Sequence, residues 1–217
     1  MESCADSLPT PPMKISIEQV SKRYIRDWVF KNVNATFSGA QIFAILGSNG
    51  SGKSTLLRLI SGMQTISRGT VNYEFKNEKI TTDNVYNFMS FCAPGMDLVE
   101  EMTLEEMLNF HFKFKKIRAG WTVEKIIEEM EMQNAAQKQI GDYSSGMKQR
   151  AKLAQAFFSD TPFLLLDEPC SNLDLRGVAM YQKWLKELSH DRLVIIASND
   201  EREYLGAIQT IEIANFK

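Results

Sequence analysis

The chain has 217 residues, of which 44% are hydrophobic and 24% charged, so it can bury a full core as one domain and is neither a disordered nor a fibrous chain. Lys+Arg 25 against Asp+Glu 27 leaves a net charge of -2, which exerts no overall pull on nucleic acid or acidic lipid, and no nucleic-acid partner is expected. Cys4, Cys92 and Cys170 are odd in number and widely separated, which argues against a disulfide framework or a CxxC metal site and fits a reducing compartment. No basic stretch leads into an apolar run at the N-terminus, and no segment approaches about 18 consecutive apolar residues, so neither a targeting signal nor a membrane span is expected. The organisation expected is a loose, polar arm over residues 1–13 and one folded domain over 14–217.

From Lys14 the apolar residues alternate in short runs that predict strands over Ile15–Val20, Trp28–Phe37 and Gln41–Leu46. Gly47 to Gly52 is a Gly/Ser-rich turn, and Lys53 to Gly62 predicts a helix closed by glycine. Strands follow near Gly69–Phe75 and Val85–Cys92. From Thr103 to Gln139 the strand signal fades, and Thr103 with Glu106 three residues on forms a capping box. At about 100° per residue, Leu104, Met107, Leu108, Phe110, His111, Phe112, Phe114 and Ile117 cover more than half of this helix, which suits a helix packed between two layers of its own domain first and a side facing a partner as the alternative. Helices over Ser145–Phe158 and Asp174–Leu188, strands over Phe163–Leu166, Leu193–Ala197 and Ile208–Ile213, and a last helix near Glu201 complete an α/β chain with an inserted helical piece at about 96–160. The runs FLLL and LVIIA are continuously apolar, as parallel strands covered on both faces require.

Gly47-Ser48-Asn49-Gly50-Ser51-Gly52-Lys53-Ser54-Thr55 satisfies GxxxxGK followed by Ser or Thr, directly after a strand and opening a helix. Such glycines let backbone N–H groups converge on phosphate oxygens, Lys53 neutralises the outer phosphates, and Ser54 offers a hydroxyl to Mg2+. A second element answers it: the apolar strand Phe163–Leu166 ends in Asp167 and Glu168. Asp167 suits the metal, and Glu168 suits orienting or deprotonating an attacking water.

These motifs, in this order, resemble the nucleotide-binding subunit of ATP-binding cassette (ABC) transporters from about Lys14 to Ile213. That family carries a P-loop NTPase core with a mixed sheet and an inserted α-helical subdomain. Tyr143-Ser144-Ser145-Gly146-Met147 stands where the family has its LSGGQ signature, and Ser171-Asn172-Leu173-Asp174 stands where it has a SALD-like loop. The resemblance implies ATP and Mg2+ as cofactors and a head-to-tail pair, a homodimer or a pseudo-dimer with a related cassette. Each ATP would then touch the phosphate loop of one chain and Ser144, Ser145 and Gly146 of the other, with Asp174 beside them. It also implies an adenine-stacking aromatic, for which Tyr24 is favoured over Trp28 and Phe30. A separate integral membrane subunit and a peripheral place on the cytoplasmic face of the cell membrane complete the expectation. The likeness extends to small exporter-type or ABC-2-type ATPases such as the heme-exporter ATPase.

Besides Ser145 and Met147, which replace the first glycine and the glutamine of the signature, two further departures bear on hydrolysis. The glutamine that usually follows the strand before the helical subdomain is absent from Phe91-Cys92-Ala93-Pro94-Gly95-Met96, with Ala93 or Pro94 in its place. The histidine that usually follows the last core strand is replaced by Asn199, which can donate an N–H to an oxygen but carries no charge. Slow hydrolysis dependent on Glu168 is the expectation. A soluble ATP-dependent switch and a non-hydrolysing nucleotide-binding regulator remain as alternatives. Cys170 reads as a small residue filling a tight turn.

Overall fold

The computed structural model describes residues 11–217, so most of the expected N-terminal arm lies outside the described residues. Strand β1, Met13–Tyr24, begins one residue inside that arm, because the Met13 side chain is already buried. It pairs antiparallel with β2, Asp27–Ser38, and with β4, Arg68–Phe75. The short β5, Glu78–Ile80, finishes a four-stranded antiparallel sheet in the order β2-β1-β4-β5. The second sheet is parallel, in the order β6-β7-β8-β3-β9, built from Met89–Cys92, Phe163–Asp167, Leu193–Ala197, Ile42–Leu46 and Gln209–Glu212. The mixed sheet expected from the resemblance is thus two sheets, one of each kind.

Alternation along the central strands places two cores on opposite faces of the parallel sheet. Phe163 and Leu165 of β7 and Leu193, Ile195 and Ala197 of β8 pack with helix α1, Lys53–Ile60, and with the inner face of the antiparallel sheet. Leu164 and Leu166, with Val194 and Ile196, pack with helices α2, Leu104–Phe114, α4, Ser145–Phe158, and α5, Leu175–Leu188. The continuous apolar runs are therefore parallel strands with both faces covered. All five side chains of each strand are buried.

Three expected elements differ. Val85–Phe88 is a 3-10 turn, and only Met89–Cys92 is a strand. The helical stretch after Thr103 is α2 and α3, Val123–Glu129, followed by 3-10 turns. The break is tied down by a backbone bond from Arg118 to Phe158 and by the Trp121 ring, whose centroid lies 4.5 Å from that of Phe158. The last expected helix is a three-residue 3-10 turn, Glu201–Glu203.

Helix α2 carries the expected capping box, with Thr103 accepting from the Glu106 amide and Glu106 from the Thr103 amide. Its wide apolar circumference divides in two. Leu104, Met107 and Leu108 are buried, while Phe110 and Phe114 are exposed at 46% and 73%, edge to face with centroids 5.2 Å apart. Between them His111 turns inward, its Nε2 3.0 Å from Ser159 Oγ, and burial lowers its pKa from 6.5 to about 4. The unfolded chain takes up this proton near pH 6.5 and the folded chain only near pH 4, so stability falls as pH drops through that window. Denaturation midpoints measured across this range should fall for the native chain and fall less for His111→Gln.

Candidate nucleotide-binding site

The phosphate-loop sequence folds as its residue types require. β3 ends at Leu46, the loop turns at Gly47–Gly52, and α1 starts at Lys53. Gly52 caps the helix with φ 111°, and a Cβ there would lie 2.7 Å from Val29 Cγ1 and 3.1 Å from the Phe30 ring, so β2 supports the loop from behind. Ser48, Asn49 and Gly50 are exposed at the turn, and Thr55 is half-buried in the first helical turn. The Ser51 hydroxyl is buried without a partner. Lys53 is 4% exposed, and its Nζ donates to the carbonyls of Gly47 at 2.8 Å and Ser48 at 3.2 Å. The lysine thus lies folded along the loop whose ligand it would neutralise.

The acidic pair meets this loop. Ser54 Oγ donates to Asp167 Oδ1 at 2.8 Å, joining the first turn of α1 to the carboxyl end of β7. Asp167 is 2% exposed, and burial raises its pKa, opposed by the Ser54 bond and by the charges of Arg58 and Lys53. A hydroxyl and a carboxylate at this separation are the hard oxygen donors that Mg2+ takes, with its remaining positions filled by phosphate oxygens and water. Among the described residues no three His, Cys, Asp or Glu side chains converge as a metal cluster. Glu168, next along the chain, is half-buried and has a left-handed backbone with φ 41°. Outside glycine this conformation costs about 1–3 kcal/mol and persists only where surrounding contacts hold it.

Asn199, just past β8, reaches the same place, its Nδ2 donating to Asn49 Oδ1 at 3.3 Å. Ala93 and Pro94 follow β6, with the Pro94 carbonyl held by Lys152 Nζ at 2.8 Å. At the β1–β2 turn, Trp28 has Arg23, Lys31 and Arg68 around its ring within 5.8 Å, and Phe30 is buried against Gly52. Tyr24 is 48% exposed, the most exposed of the three rings, with Lys22 Nζ 5.1 Å from its ring centroid and its hydroxyl bonded to Gln64.

The signature segment lies apart. Ser144 caps α4 by accepting from the Met147 amide at 3.2 Å, leaving Ser145 and Gly146 in the first turn. They line a 430 Å³ depression with Glu131, Asn172 and Asp174 and without any phosphate-loop residue. Gly146 passes so close to Asn172 that a Cβ would stand 2.9 Å from its carbonyl oxygen. Asp174 is committed within its own chain: its Oδ1 caps α5 by accepting from Gly177 N at 2.8 Å and pairs with Arg150 at 2.9 Å. Its side chain is nevertheless 65% exposed and lines the signature depression, so the cap and the ion pair leave it open to that space.

The sequence reading passed over Gln149 and Glu203. Gln149 is 2% exposed and donates to the Pro169 carbonyl at 2.8 Å, linking α4 to the turn after Glu168. Its signal was a polar residue on the buried stripe of α4 that continues through Leu153 and Phe157. Cys170 is buried in that turn, and burial first, then the neighbouring Glu203 and Asp200 charges, pushes its thiol up to about 12, as a space-filling and unreactive residue requires.

A phosphate loop, an acidic strand end bonded to it and a helical signature on a two-sheet frame define an ATP-binding cassette. The ABC transporter family matches residues 30–171, and the chain belongs to that family. It is 31% identical over 209 residues to the sulfate/thiosulfate import ATP-binding protein CysA of Mesostigma viride, covering 94% of this chain and 60% of the relative. It is 30% identical over 194 residues to the uncharacterised ABC transporter ATP-binding protein YybJ of Bacillus subtilis, covering 88% of each. The chain thus spans about 60% of the CysA relative and most of YybJ. The fold matches the dimeric structure of MJ0796, a bacterial ABC transporter cassette, with a TM-score of 0.77 at 22% identity over 92% of this chain and 95% of that one.

Proposed function

We propose that the chain binds and slowly hydrolyses ATP as the cassette of an ABC transporter, closing on a second cassette to drive a separate membrane subunit. The Ser54–Asp167 contact carries this reading, since it brings the phosphate loop to the strand end whose next residue is Glu168. Lys53 and the loop amides would hold the phosphates, Ser54 and Asp167 would hold Mg2+, and Glu168 would orient water for attack on the outer phosphate. The signature depression shares no residue with the loop, which supports its serving the ATP of a second chain, as the dimeric MJ0796 structure suggests by analogy. Ala93 or Pro94 in place of glutamine, and Asn199 in place of histidine, support slow turnover. If the missing cationic donor limits the rate, Asn199→His should raise turnover about tenfold, the equivalent of roughly 1.4 kcal/mol. Turnover that is unchanged or lower in a variant that still binds ATP sinks that explanation.

No helix among the described residues is long and apolar enough to cross a membrane. The family resemblance, rather than this absence, supports a separate membrane subunit with this chain at its cytoplasmic face. A 480 Å³ cleft lined by Met63, Tyr86, Phe91, Met96, His111 and Lys115 adjoins α2, and the exposed Phe110 and Phe114 pair lies on that helix. Together they form the docking surface. Phe114→Asp should abolish co-purification with the membrane subunit while leaving ATP binding intact, and retained association would remove α2 from the contact. The import and uncharacterised descriptions of the two relatives lend no support to the narrower likeness to a heme-exporter ATPase. Solute and direction are left to the membrane subunit.

A further inference from the structure

We propose that Glu203 is a positioning residue for hydrolysis: its carboxylate ties the turn that follows Glu168 to the loop that carries Asn199. The inference rests on the hydrolytic reading above and adds a residue that neither motif contains. Glu203 is 4% exposed and comes from the short turn Glu201–Glu203. Its Oε1 accepts from the Cys170 amide at 2.7 Å, and its Oε2 accepts from the Ser198 hydroxyl. Ser198 Oγ in turn accepts from the Asp200 amide at 2.9 Å. The Glu168 amide donates to the Ala197 carbonyl at 2.9 Å, so the two segments run side by side with Glu203 as their side-chain bridge. Tyr181, itself buried, donates its hydroxyl to the Glu203 carbonyl and holds the bridging residue in place.

The chemistry of the bridge explains why it is a carboxylate. Two donors from two segments meet there, and a carboxylate offers an acceptor to each, whereas an amide offers only one oxygen. Packing alone would favour an apolar side chain, because burial raises the Glu203 carboxyl above its ordinary pKa. Arg202, adjacent in sequence, is engaged with Asp200, and among the described residues Glu203 has no ion-pair partner. What the bridge secures is a strained backbone: Glu168 has φ 41°, and Gln149 grips the same turn from α4 through the Pro169 carbonyl. Glu168 itself is half-buried and Asn199 exposed. Their backbones are tied together, while the Asn199 amide reaches the phosphate loop at Asn49.

The test compares the full chain with Glu203→Ala and Glu203→Gln. MgATP turnover is normalised to the ATP-binding sites counted in each preparation, and amide exchange is followed in residues 168–172. Glu203→Ala should lower kcat at least about tenfold with KM within about twofold. Glu203→Gln, retaining one acceptor, should recover part of the loss. Exchange in 168–172 should rise in the order native, Gln, Ala. A Glu203→Ala chain with native kcat per site, with KM rising in step with the loss of kcat, or with native exchange in 168–172 overturns the proposal. Should the native chain bind ATP and never turn it over, the hydrolytic reading fails, and the exchange order still decides whether Glu203 holds the turn.

Discussion

Glu168→Gln is expected to lower ATP turnover by roughly 10²–10⁴, the usual worth of a positioned general base, while ATP binding persists. Asp167 is already bonded to Ser54, which leaves Glu168 as the second carboxylate at this strand end and the one available to water. Glutamine keeps the volume and the hydrogen-bonding reach and removes only the basic oxygen, so the strained turn should survive the substitution. Steady-state turnover and nucleotide affinity, measured on the same preparation, check both halves of this expectation. Because the outer phosphate would remain attached, the variant should also hold its ATP-closed pair longer than the native chain, which size-exclusion chromatography in MgATP reads directly. Unchanged hydrolysis would show that another group activates the water and would remove Glu168 from the mechanism.

The chain order of strands and helices could be read from sequence wherever local pattern and tertiary demand coincide. β8 is apolar at every position, and β7 at every position before its terminal Asp167, because both faces of the parallel sheet are covered. The failures are places where the pattern was local and the decision was not. Val85–Phe88 has strand-like composition, yet Val85 and Asn87 bond back to Thr82 and Asn84 as a turn before the chain reaches its partner β7. β5 is three residues long and mostly exposed, so it leaves no apolar alternation to detect. Its entry turn depends on Lys76 and Asn77 both adopting positive φ.

The site divides along the same line. Gly47 to Thr55 and Asp167-Glu168 are contiguous, so spacing alone identified them, and the fold then brought Ser54 and Asp167, 113 residues apart, into contact. Glu203 was invisible because its partners, Ser198 and Cys170, stand 5 and 33 residues away and no periodicity links them. Asp174 is the opposite case. It matched a family motif by position, while its side chain is engaged by Gly177 and Arg150 of its own chain. Motif order therefore locates a segment, and only the packed structure says which atoms of that segment are free.

Lys53→Ala should weaken ATP binding by roughly 100-fold or more, because it removes a charge-assisted contact worth about 3 kcal/mol from a largely desolvated place. Lys53 is 4% exposed, and its ammonium rests on the Gly47 and Ser48 carbonyls. Binding would exchange those two neutral acceptors for phosphate oxygens bearing full charge, and that difference is the gain a phosphate brings. The lysine also holds the loop closed before any ligand arrives, so alanine would loosen the carbonyls it bridges and lower affinity further. Lys53→Arg should not restore binding: the buried stem leaves little room for a planar guanidinium, and the fork cannot reproduce a compact charge donating to two adjacent carbonyls. Titration with a fluorescent ATP analogue, alongside thermal unfolding of each variant, separates lost affinity from lost fold. Native affinity in Lys53→Ala would mean that the loop amides alone hold the nucleotide, and the electrostatic role assigned to Lys53 would then be wrong.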